Sequence, residues 1–75
     1  MFGDRLREAR KSKGFTAQQM AIALHTGIRN YRKYESGHAH PSLQALVKMS
    51  RMLDVSADYL LELDDNPHSP ANASD

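Results

Sequence analysis

Residues 16–36, TAQQMAIALHTGIRNYRKYES, contain the pattern on which the fold prediction rests. Thr16 fits a helix N-cap, and Gln19, three residues later, completes a capping box. The apolar residues that follow at helical spacing are Ala17, Met20, Ala21 and Leu24. We therefore predict a short helix over residues 17–24, followed by a tight turn.

A second helix is predicted over residues 28–36, with Gly27 before it and Gly37 after it. Tyr31 and Tyr34 share one face of this helix. A very short turn makes two helices cross steeply and bury a shared face. Because the tyrosines take the buried face, the outward face is predicted to carry Ile28, Arg29, Arg32 and Lys33.

Helical patterns also cover the rest of the first 63 residues. A first helix over residues 2–13 is predicted to end at Gly14. Ser42 is a plausible N-cap for a fourth helix and Ser56 for a fifth. The predicted inward residues of these two helices are Leu43, Leu46, Val47, Ser50 and Leu53, then Ala57, Leu60 and Leu61. The sequence therefore predicts an all-α fold, a compact five-helix bundle.

Residues 64–75 are polar and acidic and contain two prolines. Such a segment buries little apolar surface, so we predict a disordered tail after a single domain over residues 1–63. The chain has 75 residues and no cysteine, so packed side chains must hold the fold without disulfides or a thiolate metal site. No membrane span or export signal is recognisable, which predicts a cytoplasmic protein.

Charge divides the chain into two halves. Residues 1–37 contain eight Lys or Arg and three Asp or Glu, a net charge of +5, whereas residues 38–75 have a net charge of −4. A basic half beside an acidic half suits a protein that turns one side towards a polyanion. Solvated helix faces can also segregate charge in this way, and charge alone does not separate the two interpretations.

The chain resembles the phage-repressor/Cro-type (XRE-like) helix-turn-helix family. The motifs that carry the resemblance are RLREARKSKGFT, QMAIAL, NYRKYESG and PSLQALVKMSRMLDVSADYLL, in this order. It implies a lambda-repressor-like DNA-binding domain in which helices 2 and 3 form the helix-turn-helix. It also implies a transcriptional regulator, acting as a repressor, that inserts helix 3 into the major groove of double-stranded DNA at a near-palindromic operator.

The resemblance assigns roles to individual residues. It implies base contacts from Ile28, Arg29, Arg32 and Lys33, and phosphate contacts from Arg10, Thr16, Gln18, Gly27, Ser36, His38 and His40. Arg29 is the best candidate base reader, because a guanidinium bonds bidentately to guanine. Without the surrounding motif, these cations would be taken for an ordinary solvated helix face. Ile28 either contacts a thymine methyl group or packs against the turn.

Three positions depart from the family pattern. Ala17 stands where a glutamine usually meets the DNA backbone, and His25 replaces the turn glycine. His25 must then adopt a left-handed backbone, which histidine tolerates better than most residues. Gly27 replaces a polar N-cap and is the weaker cap. A basic–acidic pair of Arg10 with Glu35 matches the family.

Relatives of this length are usually dimers, which predicts a homodimer formed through the C-terminal part. Val55, Tyr59 and Leu63 are the candidate interface residues, and core packing is an equally good explanation for them. Ile22, apolar and placed away from the predicted core, leaves room for a protein partner. The alternative function is therefore a protein-interaction module, an antitoxin, anti-repressor or adaptor with the same fold.

Catalytic and ligand-binding patterns are not recognisable in this sequence. It has no nucleophile beside a base and no glycine-rich phosphate loop, so we do not expect an enzyme. His38 and His40 lie close together but lack further ligands nearby, so neither a metal nor another cofactor is expected. No separate ligand-binding domain fits in the chain, and we expect no small-molecule ligand.

Overall fold

The computed structural model describes residues 1–68, which contain five α-helices and no strand. The helices are α1 (Phe2–Ser12), α2 (Ala17–Ala23), α3 (Ile28–Ser36), α4 (Leu43–Leu53) and α5 (Ala57–Leu60). The predicted all-α, five-helix fold is confirmed, and the ends of the first four helices agree with the prediction to within one residue. α5 is only a single turn.

Two local hydrogen-bond patterns separate α1 from α2. At the end of α1, Gly14 adopts a left-handed backbone with φ +79°, and the N–H of Phe15 donates to the carbonyl of Arg10 at 3.1 Å. At the start of α2, the N–H of Gln19 donates to Thr16 Oγ1 at 3.0 Å, and Gln19 Oε1 accepts from the N–H of Thr16 at 2.8 Å. The predicted capping box is thus formed, and it fixes where α2 begins.

The turn between α2 and α3 contains His25 with φ +56°, the left-handed backbone expected of it. Gly37 ends α3 with φ +86°. These two left-handed residues fix the end of the turn before α3 and the end of α3 itself.

One core joins all five helices. α1 packs against α3 and α5, α2 packs against α3, and α4 packs against α5. The buried residues are Leu6, Ala9, Met20, Ala21, Tyr31, Tyr34, Leu46, Met49, Leu53 and Leu60. α1 and α3 lie close together at Gly3, where an added Cβ atom would lie 2.1 Å from the carbonyl oxygen of Glu35.

Part of the predicted core was wrong. Leu43, Val47 and Leu61 are 76%, 40% and 44% exposed. In α4 the buried residues are Leu46, Met49 and Leu53. Apolar residues cover most of the circumference of α4, so their spacing fits two adjacent stripes, and packing against α5 selects the one that contains Met49. Leu61 was expected to face inward, but α5 ends at Leu60 and Leu61 belongs to the turn that follows.

The first five residues of the predicted tail fold back on the helices. The N–H of Ser56 donates to the carbonyl of Pro67 at 2.7 Å. In the same segment, Asp65 Oδ1 accepts from Arg5 Nη2 at 2.7 Å. The remaining tail residues, 69–75, lie outside the described part of the chain.

Candidate nucleic-acid interface

The outward face of α3 is cationic. Arg29, Arg32 and Lys33 are exposed, while Tyr31 and Tyr34 are buried beneath them. Residues three and four positions apart share a helix face, so the two tyrosines anchor one side and the three cations point to the other. The rings of the tyrosines meet edge to face, with centroids 6.2 Å apart.

The cations of α3 lack acidic partners within residues 1–68, since none of the ion pairs there includes Arg29, Arg32 or Lys33. The cations of α1 other than Lys11, and the residue that follows this helix, do have such partners. These pairs are Arg5 with Asp65, Arg7 with Asp4, Arg10 with Glu35 and Lys13 with Asp54. The guanidinium and ammonium groups of α3 are therefore available to an external anion.

The N-terminus of α3 is free of a side-chain cap. Gly27 is the N-cap residue, with φ −78° and ψ 157°, and it offers no side chain to the first N–H groups. A Cβ atom at Gly27 would meet nothing within 4 Å. The first turn of α3 thus presents uncapped N–H groups, which attract anions.

Ile28, the first residue of α3, is half-buried and packs against the core. The exposed remainder of the side chain leaves contact with a thymine methyl group as a prediction.

The predicted phosphate-contacting residues occupy three places around α3. Thr16 and Gln18 lie at the start of α2; Gln18 is exposed, and the Thr16 hydroxyl oxygen accepts the capping hydrogen bond. At the end of α3, Ser36 Oγ donates to the carbonyl of Lys33 at 3.2 Å and lies 2.8 Å from His38 Nδ1. His40 is exposed in the following loop.

Arg10, another predicted phosphate contact, forms an ion pair within the protein. Its Nε donates to Glu35 Oε2 at 2.6 Å, and its Nη1 donates to the carbonyl of Phe15 at 3.0 Å. The two side chains of the ion pair are 13% and 12% exposed. The hydrogen bond to Glu35 raises the pKa of Arg10 above its ordinary value, against the opposing effect of burial.

Tyr31 joins this ion pair through its hydroxyl group. Tyr31 Oη donates to Glu35 Oε2 at 2.6 Å. Burial, and then this hydrogen bond, raise the pKa of Tyr31 well above its ordinary value. From sequence, Tyr31 was assigned only an apolar anchoring role, and the hydroxyl contact was missed. The i, i+4 spacing of Tyr31 and Glu35 on one helix was a signal that could have shown it.

A second polar network that the sequence did not predict runs along α3. Asn30 Nδ2 donates to Thr26 Oγ1 at 2.8 Å and to Tyr34 Oη at 3.0 Å. These contacts join the turn before α3 to the middle of the helix. They hold the amide of Asn30 beside the cationic face.

The candidate dimer residues are differently placed. Val55 and Tyr59 are half-buried and pack against the core, whereas Leu63 is exposed. The guanidinium carbon of Arg5 lies 4.4 Å from the centroid of the Tyr59 ring. Leu43 adds another exposed apolar side chain at the start of α4.

Residues 1–68 contain neither a cluster of metal ligands nor a membrane-spanning helix. Nowhere in that range do three or more histidine or acidic side chains come together as metal ligands would. His38, one of the two neighbouring histidines, contacts Ser36. None of the helices in the same range has the length and apolar content needed to cross a membrane.

This arrangement is that of a helix-turn-helix domain, with α2 and α3 as its two helices. A helix-turn-helix family model matches residues 6–60, and the chain therefore belongs to that family. The resemblance stated from the sequence is confirmed.

The chain is 48% identical over 62 residues to the SPbeta prophage-derived uncharacterized HTH-type transcriptional regulator YonR of Bacillus subtilis. The match covers 83% of this chain and 57% of YonR. The chain spans about half the length of another such relative, the transcriptional regulator ImmR of Bacillus subtilis, to which it is 40% identical.

Solved structures share the fold over most of their length. The biofilm regulator SinR in complex with DNA superposes with a TM-score of 0.72 and 34% identity, covering 81% of this chain and 98% of that one. The P22 c2 repressor with a synthetic operator gives a TM-score of 0.78 at 25% identity, covering 85% of this chain and 97% of that one. The predicted lambda-repressor-like fold is thereby confirmed.

Proposed function

We propose that this chain is a sequence-specific double-stranded DNA-binding transcriptional regulator, acting as a repressor in the cytoplasm and without catalytic activity. The observation that carries the proposal is the set of α3 cations that form no ion pair within residues 1–68, held outward by two buried tyrosines. An α-helix fits the major groove, where base edges display a distinct pattern for each base pair. The SinR and P22 c2 structures, both with DNA, support the same use of the fold.

In this proposal, the site residues divide into those that contact bases and those that contact phosphates. Arg29 and Arg32 contact bases with the help of Ile28, and Lys33 lies where base and phosphate are both in reach. Phosphates are contacted by Arg10, Thr16, Gln18, Gly27, Ser36, His38 and His40. Phosphate contacts set affinity and register, whereas base contacts set sequence choice.

We further propose that two copies bind a near-palindromic operator. A two-fold dimer sets its recognition helices about 34 Å apart, one turn of the duplex. Val55, Tyr59 and Leu63 remain the proposed contacts, and the exposure of Leu63 supports that assignment best. Leu61, also exposed beside it, is available to the same interface.

The salt dependence of binding tests the proposal. Fluorescence anisotropy with a labelled duplex, selected by the chain from a randomised pool, is measured from low to moderate salt. If a dimer neutralises about six phosphates, log K falls with log salt at a slope near −5. An affinity that does not change with salt, or a pool from which no sequence is enriched, contradicts it.

The rival function, a protein-interaction module, rests on Ala17, which stands where the family has a glutamine, and on Ile22, which is exposed on α2. A lone exposed apolar residue is common on soluble proteins, so it carries little weight. Retention on a random-duplex column separates the two functions. A DNA-binding chain is retained at low salt and elutes at moderate salt, whereas an interaction module passes through at both.

A further inference from the structure

Three parts of the chain meet at the carboxylate of Glu35, in the last turn of α3. Oε2 accepts from Tyr31 Oη and from Arg10 Nε, each at 2.6 Å, and Oε1 lies 3.4 Å from Arg10 Nη2. Arg10 also reaches the carbonyl of Phe15 in the link between α1 and α2. α1, the α1–α2 link and α3 are therefore joined by one polar cluster.

We propose that the hydroxyl group of Tyr31 is a positioning group for DNA recognition, setting where the cations of α3 lie relative to the base edges. This inference rests on the proposed function. The side chain of Tyr31 is fully buried, so the hydroxyl acts only through Glu35 and Arg10. α3 has nine residues and no side-chain N-cap, so its placement depends on contacts with its neighbours.

Base recognition is more sensitive to such placement than phosphate attraction is. A bidentate contact to a base requires the side chain to be held to within about 0.5 Å, whereas attraction to the phosphate backbone acts over about 10 Å. Removing the Tyr31 hydroxyl leaves every charge of the chain in place. Geometry and charge can therefore be separated experimentally at this residue.

Tyr34 provides a matched control. It is also a buried tyrosine of α3, and its hydroxyl oxygen accepts from Asn30, which in turn donates to Thr26. This network stays within α3 and the turn before it. Loss of the Tyr34 hydroxyl therefore breaks no contact between α3 and α1.

The experiment compares the unmodified chain with Tyr31→Phe and Tyr34→Phe. The affinity of each is measured for two duplexes, one that the unmodified chain selects from a randomised pool and a scrambled one of the same composition. The temperature is one at which circular dichroism shows all three proteins to be folded. We expect Tyr31→Phe to lower the ratio of selected to scrambled affinity about five- to tenfold. Affinity for the scrambled duplex stays unchanged, and Tyr34→Phe alters the ratio less than about twofold.

Glu35→Gln is measured alongside, so that the test does not depend on one variant folding. It removes a negative charge, so we expect tighter binding to the scrambled duplex together with a lower ratio. An unchanged ratio in both Tyr31→Phe and Glu35→Gln overturns the inference, as does an equal loss in Tyr31→Phe and Tyr34→Phe. If the unmodified chain selects no sequence, it is the proposed function that fails.

Discussion

The arginines of this chain occupy two different environments, on the outer face of α3 and beneath the C-terminal segment. Arg29 and Arg32 are exposed and have no ion-pair partner in the described residues. Arg5 instead donates to the carbonyls of Tyr59 and Asp64, each at 2.8 Å, and pairs with a carboxylate of the same segment. One residue type thus holds the fold in one place and stays available for a ligand in the other.

The exposed cations on α3 repel one another, which lowers stability, whereas the arginines that form ion pairs avoid this repulsion. Arg29 and Lys33 are four residues apart on one helix, and like charges at that spacing destabilise it slightly. No acid lies in the first turn of α3 to offset them. An external polyanion would relieve this repulsion, so stability and function should respond oppositely to substitutions in the two environments.

The largest expected effect is on DNA affinity, from removing the exposed arginines. We expect Arg29→Ala with Arg32→Ala to weaken binding to the selected duplex about 100-fold, because two base contacts are lost. The free energy of unfolding, measured in urea, should change by less than about 0.5 kcal/mol. Lys48→Ala with Arg51→Ala removes the same charge from exposed, unpaired positions of α4 and serves as the control. Equal losses in both double variants would show that α3 contributes only charge.

The next effect is on stability, from breaking the ion pair of α1 with α3. We expect Arg10→Ala to lower the free energy of unfolding by about 2–3 kcal/mol, because it leaves the half-buried carboxylate of Glu35 without its cation. Lys11→Ala, at an exposed neighbour without an ion pair, should change it by less than about 0.5 kcal/mol. Chemical denaturation measures the free energy of unfolding of both variants. If Arg10→Ala loses no more than Lys11→Ala, the ion pair contributes little to stability.

A smaller effect concerns alkaline pH. The pKa of Tyr31 is raised in the fold above its ordinary value of 10.0, so the folded chain retains a proton that the unfolded chain releases. The contribution of the Tyr31 hydroxyl to the free energy of unfolding is complete below pH 10. Above pH 10 it falls by up to about 1.4 kcal/mol per pH unit. The stability difference between the unmodified chain and Tyr31→Phe should therefore shrink in urea titrations from pH 9 to 11. A difference that stays constant would mean that Tyr31 ionises freely in the fold.

The smallest stability effect is expected at the uncapped start of α3. Gly27→Asn and Gly27→Asp both supply a side-chain cap in open space. Each should therefore raise the free energy of unfolding by about 0.3 kcal/mol. The aspartate adds a negative charge where we propose a phosphate, and it should bind the selected duplex about tenfold more weakly than the asparagine variant. Equal affinities would place the N-terminus of α3 away from the DNA backbone.

Local signals account for what was predicted well. The capping box at Thr16, the left-handed His25 and the glycine after α3 each fix a boundary through contacts within a few residues, which sequence shows directly. The outward position of the α3 cations followed from the two tyrosines for the same reason. α4 lacked such a signal, because its apolar residues fit more than one stripe.

Contacts between distant residues explain what could not be predicted. Arg5 meets a segment about sixty residues away, and no periodicity specifies that pairing. The Tyr31 hydroxyl finds Glu35 within its own helix, but its importance depends on Arg10, which α1 supplies.

Guanine protection tests the central claim most directly. Arginine contacts guanine through O6 and N7 in the major groove, so bound chain should protect guanine N7 from methylation by dimethyl sulfate. We expect protection in two half-sites about one duplex turn apart, lost at a single base pair of each half-site in Arg29→Ala. A bound complex that leaves every guanine N7 reactive, or protection that Arg29→Ala and Arg32→Ala both leave intact, would contradict insertion of α3 into the groove.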